Sequence, residues 1–393
     1  MYIDYTPEQR ALRDRLREYF KELMKPELVA EIAESGEGGG PLYHKALRKM
    51  GSDGLLGVGW PKEYGGQGMT PIEQFIFSDE VQRAGFPLPF LTINSVGPTI
   101  AQYGSEEQRN EYLPKILRGE LHFAIGYSEP SAGTDLASLK TRAVREGDEY
   151  VINGSKVFTS LANYSDYIWL AARTDPEAPK HQGISIFMVP TSAPGYKCTP
   201  IHTVGSIRTN STYFEDVRVP ARNLIGPEHG GWWLIVNQLN HERVALCTVG
   251  PSQRILEEVT QWAKSTRRAD GTRVIDQPWV QLKLARVRAR IEVLKLLNWR
   301  QAWCMTQGAL NFADASAVKV YGTEFYIDCY RDMLEVVGHR GTVRRGSPQA
   351  VARGLLEMLQ RAMLVLTFGG GTNEIQRDII AKAGLGMRIE LRA

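Results

Sequence analysis

The sequence predicts an α+β protein in which a helical region, a β-rich region and a second helical region follow one another along the chain. Three observations predict this order: apolar residues at three- and four-residue intervals before residue 121, short β-rich runs between 121 and 220, and long helical periodicity after Gly231. A chain of 393 residues is longer than a typical single domain. We therefore expect three domains, over residues 1–120, 121–230 and 231–393.

The first 120 residues carry the signals of several helices. Thr6 and Gln9 form a capping box around Pro7, so a helix should begin near Pro7. Its apolar stripe comprises Leu12, Leu16, Tyr19 and Leu23. Further helices are predicted over residues 41–53, 71–84, 95–104 and 106–117, with a glycine-rich break at 59–68. We expect this region to be all-helical.

The pattern changes between Leu121 and Pro220. Short β-rich runs separated by turn signals lie at residues 149–159, 167–173, 183–190 and 212–220. Even spacing of this kind is typical of a small barrel or sandwich. Helical periodicity returns after Gly231, most clearly from Val280 to Trp303, where apolar residues recur every three or four positions.

Composition excludes several classes of function. The 47 basic and 44 acidic residues are interspersed and give a net charge of +3, so we expect neither a nucleic acid partner nor a membrane surface. No run approaches the roughly 18 apolar residues of a membrane-spanning helix, and the first residues are too polar for a signal or transit peptide. We expect a cytoplasmic protein. The four cysteines are far apart, which predicts buried thiols and no metal site.

Residues 124–135 form a loop of small residues, A-I-G-Y-S-E-P-S-A-G-T-D. Ser128 and Thr134 offer hydroxyl groups, and Ala132 and Gly133 allow a ligand to approach the backbone closely, a combination that suits a flavin. Two further motifs are K-V-F-T-S at 156–160 and G-G-G-T-N-E-I-Q-R at 369–377. Together the three closely resemble the acyl-CoA dehydrogenase family. The resemblance covers essentially the whole chain and implies an N-terminal all-α domain, a central β-barrel domain and a C-terminal four-helix bundle.

The resemblance implies that the chain binds flavin adenine dinucleotide (FAD). The matching cofactor-binding residues are Tyr127, Ser128, Gly133, Thr134, Phe158, Ser160, Thr372 and Glu374. In the family, residues like Phe158 stack on the flavin ring and residues like Ser160 hydrogen-bond near its N5 atom, whereas Thr372 and Glu374 match contacts to the adenosine end. The alternative interpretation is that these are ordinary turn residues, because Ser, Thr and Gly are frequent in turns.

The catalytic base is expected at an unusual position. Most family members carry a glutamate where this chain has Gly370, and a minority carry the base in a Glu-Arg pair, which Glu242 and Arg243 match. The resemblance therefore implies Glu242 as the base, with Gly370 contributing its backbone N–H to the thioester carbonyl. Asn240 and Arg243 are the candidate substrate-binding residues. The alternative is that Glu242 is a surface residue paired with Arg243.

Two acidic residues indicate a partner chain. In homotetrameric relatives an aromatic residue and a glutamine help to clamp the neighbouring subunit's flavin, and the matching positions here are Asp270 and Glu335. Carboxylates aimed at a pyrophosphate would repel it, so we expect a different acyl-CoA dehydrogenase-like chain to complete the flavin site. The pattern looks most like the catalytic subunit of actinobacterial steroid side-chain acyl-CoA dehydrogenases, which are α2β2 heterotetramers.

The resemblance thus implies FAD-dependent α,β-dehydrogenation of a CoA thioester, expected to carry a shortened steroid side chain. The electrons would pass to an electron-transfer flavoprotein. Two alternatives stay open at this point. One is a branched- or short-chain acyl-CoA dehydrogenase, or an oxidase that uses O2; the other is a non-catalytic subunit that only supports a partner.

Overall fold

The computed structural model describes residues 4–35, 38–242 and 246–388, and the side chains of residues 239–242 lie outside that description. Helices come first among the described residues: α1 (Pro7–Leu23), α2 (Pro26–Ser35), α3 (Pro41–Ser52), α4 (Pro71–Ala84), α5 (Gly97–Tyr103) and α6 (Glu106–Leu117). The capping box of α1 is confirmed, because the Gln9 N–H donates to Thr6 Oγ1 at 3.3 Å and the Thr6 N–H donates to Gln9 Oε1 at 3.1 Å. The sequence did not predict α2.

The middle of the chain forms one sheet of eight strands: β1 (Phe123–Gly126), β2 (Arg142–Glu146), β3 (Glu149–Lys156), β4 (Tyr167–Arg173), β5 (Ile184–Pro190), β6 (Tyr196–His202), β7 (Arg208–Pro220) and β8 (Leu224–Ile225). The hydrogen-bonded path runs β6-β7-β3-β2-β4-β5-β8, and β1 pairs with β4 in parallel. The rings of Tyr150 in β3 and Phe187 in β5 approach to 4.8 Å although these strands are not neighbours in the path. The sheet therefore curves around its own core, and the predicted central β-domain is confirmed.

Helices return after the sheet: α7 (Gly231–Glu242), α8 (Gly250–Ser265), α9 (Pro278–Thr306), α10 (Phe312–Val337), α11 (Leu355–Ala362) and α12 (Asn373–Ile379). Helices α8, α9, α10 and α11 bury one shared apolar core, which agrees with the expected C-terminal bundle. In contrast, Leu234 and Ile235 of α7 pack into the core shared by the N-terminal helices and the outer face of β4 and β5. Helix α7 is thus held between the sheet and the N-terminal helices.

The turn that leads into α5 depends on a glycine. Trp60 packs directly against Gly97, so that a Cβ atom at position 97 would lie 2.1 Å from Trp60 Cη2. The Trp60 indole N–H donates to the Ile93 carbonyl at 3.1 Å, within a π-helical turn over Thr92–Val96. The π-helical turn leaves the Ile93 carbonyl without its usual partner in the helix. The Trp60 indole N–H supplies this hydrogen bond and so stabilises the turn.

We predict that Gly97→Ala destabilises the protein by about 1–3 kcal/mol, as expected when a methyl group is forced into a filled space. Thermal unfolding measures the effect. The control is Gly133→Ala, because a Cβ atom at Gly133 meets nothing within 4 Å. Equal melting temperatures for the two variants would contradict the packing described for Trp60.

Candidate functional site

The first candidate loop follows β1. Its turn is closed by two hydrogen bonds between Glu129 and Ala132, at 3.0 and 3.1 Å. The Ser128 carbonyl accepts the Val157 N–H at 2.9 Å, which joins this loop to the segment after β3. Gly133 and Thr134 are exposed, so a ligand can reach the backbone of this part of the loop.

A buried ion pair between Lys156 and Glu129 holds the same loop against the interior of the protein. The Lys156 ammonium, fully buried, donates to Glu129 Oε1 at 2.9 Å and to the Tyr127 carbonyl at 3.1 Å. Glu129 also accepts the N–H groups of Lys140 and Thr141, at 2.7 and 2.8 Å. Burial lowers the pKa of Lys156 to about 8, and the charge of Glu129 opposes that change. Burial alone would raise the pKa of Glu129, but Lys156 and the N–H donors hold it below its ordinary value.

The segment after Lys156 presents an aromatic ring on a strained backbone. The pairing of β3 with β7 shifts register between Ile152 and Gly154, a bulge of the kind that changes the direction of the residues that follow. Phe158 has φ +60° and its side chain is 64% exposed. A bulky residue with positive φ is an outlier that surrounding contacts must hold in place. Here the Thr159 N–H donates to the Asn210 carbonyl at 2.9 Å, and Asn210 Nδ2 donates to the Thr159 carbonyl at 3.0 Å.

Ser160 is partly exposed, whereas Tyr127 is buried. Ser160 Oγ is partly exposed and lies 3.1 Å from Thr209 Oγ1 on β7. Tyr127, which we expected to line the flavin, has a buried ring whose hydroxyl donates to Gln238 Oε1 on α7 at 2.7 Å. The loop therefore presents Ser128 and the small residues after it, whereas the Tyr127 side chain points into the protein.

The second candidate loop, the glycine loop, comprises residues 367–373. Gly370 and Gly371 have φ values of +68° and +88°, a conformation that favours glycine. Lys319 is fully buried behind the loop and donates to the Gly371 carbonyl at 2.7 Å, to Asn373 Oδ1 at 2.8 Å and to the Thr367 carbonyl at 3.3 Å. A buried cation that needs acceptors thus fixes the backbone of the loop.

Thr372 and Glu374 begin the helix after the glycine loop. The Thr372 hydroxyl caps α12 by accepting the Ile375 N–H at 3.3 Å. Glu374 is exposed, and its own N–H together with the Thr372 hydroxyl lowers the pKa of its carboxyl group. Thr372 is partly exposed and Glu374 is exposed, at the end of the glycine loop.

The glycine loop lies close to the first described residues after α7. A Cβ atom at Gly370 would lie 3.9 Å from Leu246 Cδ2, so the glycine loop lies beside the chain that follows α7. The backbone of α7 ends at Glu242. The side chains of Glu242 and Asn240, and the whole of Arg243, lie outside the described residues.

The acidic pair expected at a subunit boundary is exposed. Asp270 Oδ1 accepts from the N–H and hydroxyl of Thr272, at 3.0 and 2.6 Å, and these hydrogen bonds lower the pKa of Asp270. Glu335 pairs with Lys283 at 2.7 Å. Asp270 and Glu335 side chains are 51% and 55% exposed. Both carboxylates therefore face solvent in this chain.

Several residues with structural roles at the site escaped the sequence analysis. Glu129, Lys156 and Lys319 were not assigned a role, although the first two lie within quoted motifs, because lysine and glutamate are ordinarily exposed. Of the cysteines, Cys247 and Cys329 are buried as expected, and Cys198 and Cys304 are partly exposed. Within the described ranges, no helix is long and apolar enough to span a membrane, and no group of three His, Cys, Asp or Glu side chains could hold a metal ion.

Comparison with protein families matches three domains in order. The acyl-CoA dehydrogenase N-terminal domain matches residues 6–120, the middle domain matches 124–217 and the C-terminal domain matches 229–385. The chain is 54% identical to acyl-CoA dehydrogenase FadE26 of Mycobacterium tuberculosis, over 98% of this chain and 99% of that relative. These matches agree with the helix, sheet and helix order of the structure.

Two solved structures are similar over nearly the whole chain. The ChsE4-ChsE5 complex from Mycobacterium tuberculosis contains a chain with 54% identity and a TM-score of 0.93, covering 99% of this chain and 100% of that one. The Tcur3481-Tcur3483 steroid ACAD contains a chain with 50% identity and a TM-score of 0.93, with the same coverage.

We predict that Lys156→Met destabilises the protein by about 3–5 kcal/mol, because it leaves the Glu129 carboxylate buried without its partner. Chemical denaturation measures the loss. Adding Glu129→Gln removes the buried charge and keeps an acceptor for one of the two N–H groups, so the double variant should recover part of the stability. An identical loss in the single and double variants would show that the ion pair does not hold this loop.

Proposed function

The chain belongs to the acyl-CoA dehydrogenase family, and we propose that it uses FAD to form an α,β-double bond in a CoA thioester. The observation that supports this proposal is the approach of the glycine loop to Leu246, which lies four residues beyond Glu242 in the chain, so that the Gly370 N–H and the candidate base would belong to the same region. Proton removal beside a carbonyl needs both a base and a donor for the carbonyl oxygen.

The residues of the first loop and of the segment after β3 fit a flavin. Phe158 offers an exposed ring as a wall for a planar group, and Ser160 offers a hydroxyl close to it in sequence. The open space at Gly133 permits close approach of a cofactor to the backbone. Thr372 and Glu374 would hold the adenosine end. When bound, the flavin supplies the acceptor for the hydride that leaves the β-carbon.

The chain's own residues would carry out the proton chemistry. Glu242 would take the α-proton of the thioester. The Gly370 N–H would donate to the thioester carbonyl oxygen, where negative charge increases as the proton leaves. Lys319 donates to the Gly371 carbonyl and thereby helps to fix the backbone of the glycine loop, which carries the Gly370 N–H. Asn240 and Arg243 would contact the substrate beside the base.

A bulky acyl group is the proposed substrate. The absence of a side chain at Gly370 leaves space, because among the described residues the Leu246 side chain alone lies within 4 Å of a Cβ atom built there. One similar structure is described as a steroid ACAD. Together these support a CoA thioester with a steroid side chain, with an electron-transfer flavoprotein as the acceptor of the electrons.

A second, different chain is the proposed partner. Asp270 and Glu335 are exposed carboxylates, paired with Arg268 and Lys283, at the positions that by the resemblance would face a neighbour's pyrophosphate in a homotetramer. The two similar solved structures are each named as a pair of chains. We infer that this chain supplies one half of a flavin site and that an acyl-CoA dehydrogenase-like partner supplies the other half, in an α2β2 assembly.

Replacing Glu242 with Gln should slow flavin reduction by substrate by at least about 10²- to 10⁴-fold, because the base is lost while the shape is kept. Stopped-flow absorbance of the bound flavin measures the rate with a steroid side-chain thioester. Reduction by dithionite should be unchanged. Gly370→Ala retains its N–H and should have a much smaller effect on the chemical step. Near-normal reduction of the Glu242→Gln variant by substrate would reject Glu242 as the base.

Expression of this chain alone should give a poorly flavinylated or poorly soluble protein. Co-expression with a partner that retains the aromatic and glutamine residues should give a heterotetramer with one flavin per heterodimer. Native mass spectrometry and flavin absorbance measure both quantities. In the isolated chain, Asp270→Phe with Glu335→Gln should increase flavin retention because it removes the repelling carboxylates. A stable wild-type homotetramer with four reducible flavins would contradict the half-site argument.

A further inference from the structure

Three buried polar side chains form a hydrogen-bonded cluster between the first loop and α7. The Tyr127 hydroxyl donates to Gln238 Oε1 at 2.7 Å, and the Trp169 indole N–H lies 3.1 Å from both the Tyr127 hydroxyl oxygen and Gln238 Oε1. All three residues are buried. We call them the Tyr-Trp-Gln cluster. It joins strand β4, the first loop and helix α7 at one point.

The chemistry of the cluster fixes the orientation of the Gln238 amide. A tryptophan indole N–H can only donate, so the amide oxygen of Gln238, and not its nitrogen, must face Trp169. The Tyr127 hydroxyl then donates to the same oxygen while it accepts from the indole. Rotation of any one group would break a buried hydrogen bond, which makes the cluster a rigid connection.

The position of the cluster relates the two parts of the proposed site. Tyr127 directly precedes Ser128, and its carbonyl accepts from Lys156. Tyr127 is therefore held at both its backbone and its ring. Gln238 and Glu242 are four residues apart in α7, so the two positions share one face of the helix, one turn apart. The cluster thus connects the proposed flavin loop to the helical turn that ends at the proposed base.

Simple packing does not account for the glutamine. Gln238 Nε2 is buried and has no hydrogen-bond partner among the described residues. An unsatisfied buried amide group is destabilising, and an apolar side chain of similar volume would avoid the penalty.

We propose that Gln238 is a positioning residue that sets the distance between the flavin loop and the turn of α7 that carries Glu242. This rests on the proposed function, because it takes Glu242 as the base. The residue touches neither substrate nor cofactor in the proposal. It acts through Tyr127 on one side and through α7 on the other.

The test compares flavin reduction by substrate and by dithionite in the co-purified complex. Gln238→Met removes the amide at similar volume and should lower the limiting rate of reduction by a steroid side-chain thioester about 10- to 100-fold, the effect of displacing a catalytic group by about 1 Å. Flavin content, dithionite reduction and the thioester concentration at half-maximal rate should stay near wild type. The milder Tyr127→Phe variant should lose between about 2- and 10-fold, as expected for one hydrogen bond.

Gln301→Met is the matched control, because Gln301 is an equally buried glutamine on α9 whose amide has no partner among the described residues. It should leave the substrate-driven rate unchanged. The double variant of Tyr127→Phe and Gln238→Met should be no slower than Gln238→Met alone, because both act through one cluster. A rate for Gln238→Met equal to that of the Gln301 control, or a parallel loss of dithionite reduction and flavin content, would overturn the proposal.

The Glu242→Gln variant separates failure of this inference from failure of the proposed function. If Glu242→Gln retains substrate-driven reduction, the assignment of the base is wrong and the positioning role of Gln238 falls with it. If Glu242→Gln abolishes reduction and Gln238→Met does not slow it, only the positioning role is wrong.

Discussion

A buried ammonium group must be surrounded by hydrogen-bond acceptors, and Lys156 meets this requirement with the Tyr127 carbonyl and the Glu129 carboxylate. Because Glu129 also receives two backbone N–H groups, the pair joins the first loop, β3 and the start of β2 into one unit. Lys319 acts in the same way behind the glycine loop. Both loops of the proposed site are therefore held by the protein itself, and this preorganisation is what stabilisation of a developing charge requires.

The groups that remain exposed in this chain are those that the proposed cofactor and partner would cover. The Phe158 ring on its strained backbone, the glycine loop and the acidic Asp270 turn all face solvent. The strained backbone of Phe158 persists because the two hydrogen bonds between Thr159 and Asn210 hold the residue that follows it. In the proposed assembly, this chain would supply its own half of a flavin site and a different chain would cover the exposed groups.

The order of the domains and most helices could be predicted because capping residues and periodicity are local signals; α1, α4 and α6 begin directly after the capping residues Thr6, Thr70 and Ser105. Strands β1, β2, β6 and β8 escaped prediction. Of these, β1 and β8 have only four and two residues and depend on neighbouring strands for their pairing. The flavin contact expected of Tyr127 stays a prediction; its hydroxyl bonds to Gln238 on α7, a partner that spacing does not reveal. The buried lysines could not be predicted, because their burial depends on acceptors far away in the sequence.

The most direct test of the account is a structure of the complex of this chain and its partner with FAD and an unreactive steroid thioester bound. The account predicts the flavin ring against Phe158 and the Ser160 hydroxyl at about 3 Å from N5. It also predicts the Gly370 N–H at about 3 Å from the thioester carbonyl oxygen, and the Glu242 carboxylate beside the α-carbon on the face opposite the flavin. A thioester carbonyl remote from Gly370, with another acid beside the α-carbon, would contradict it.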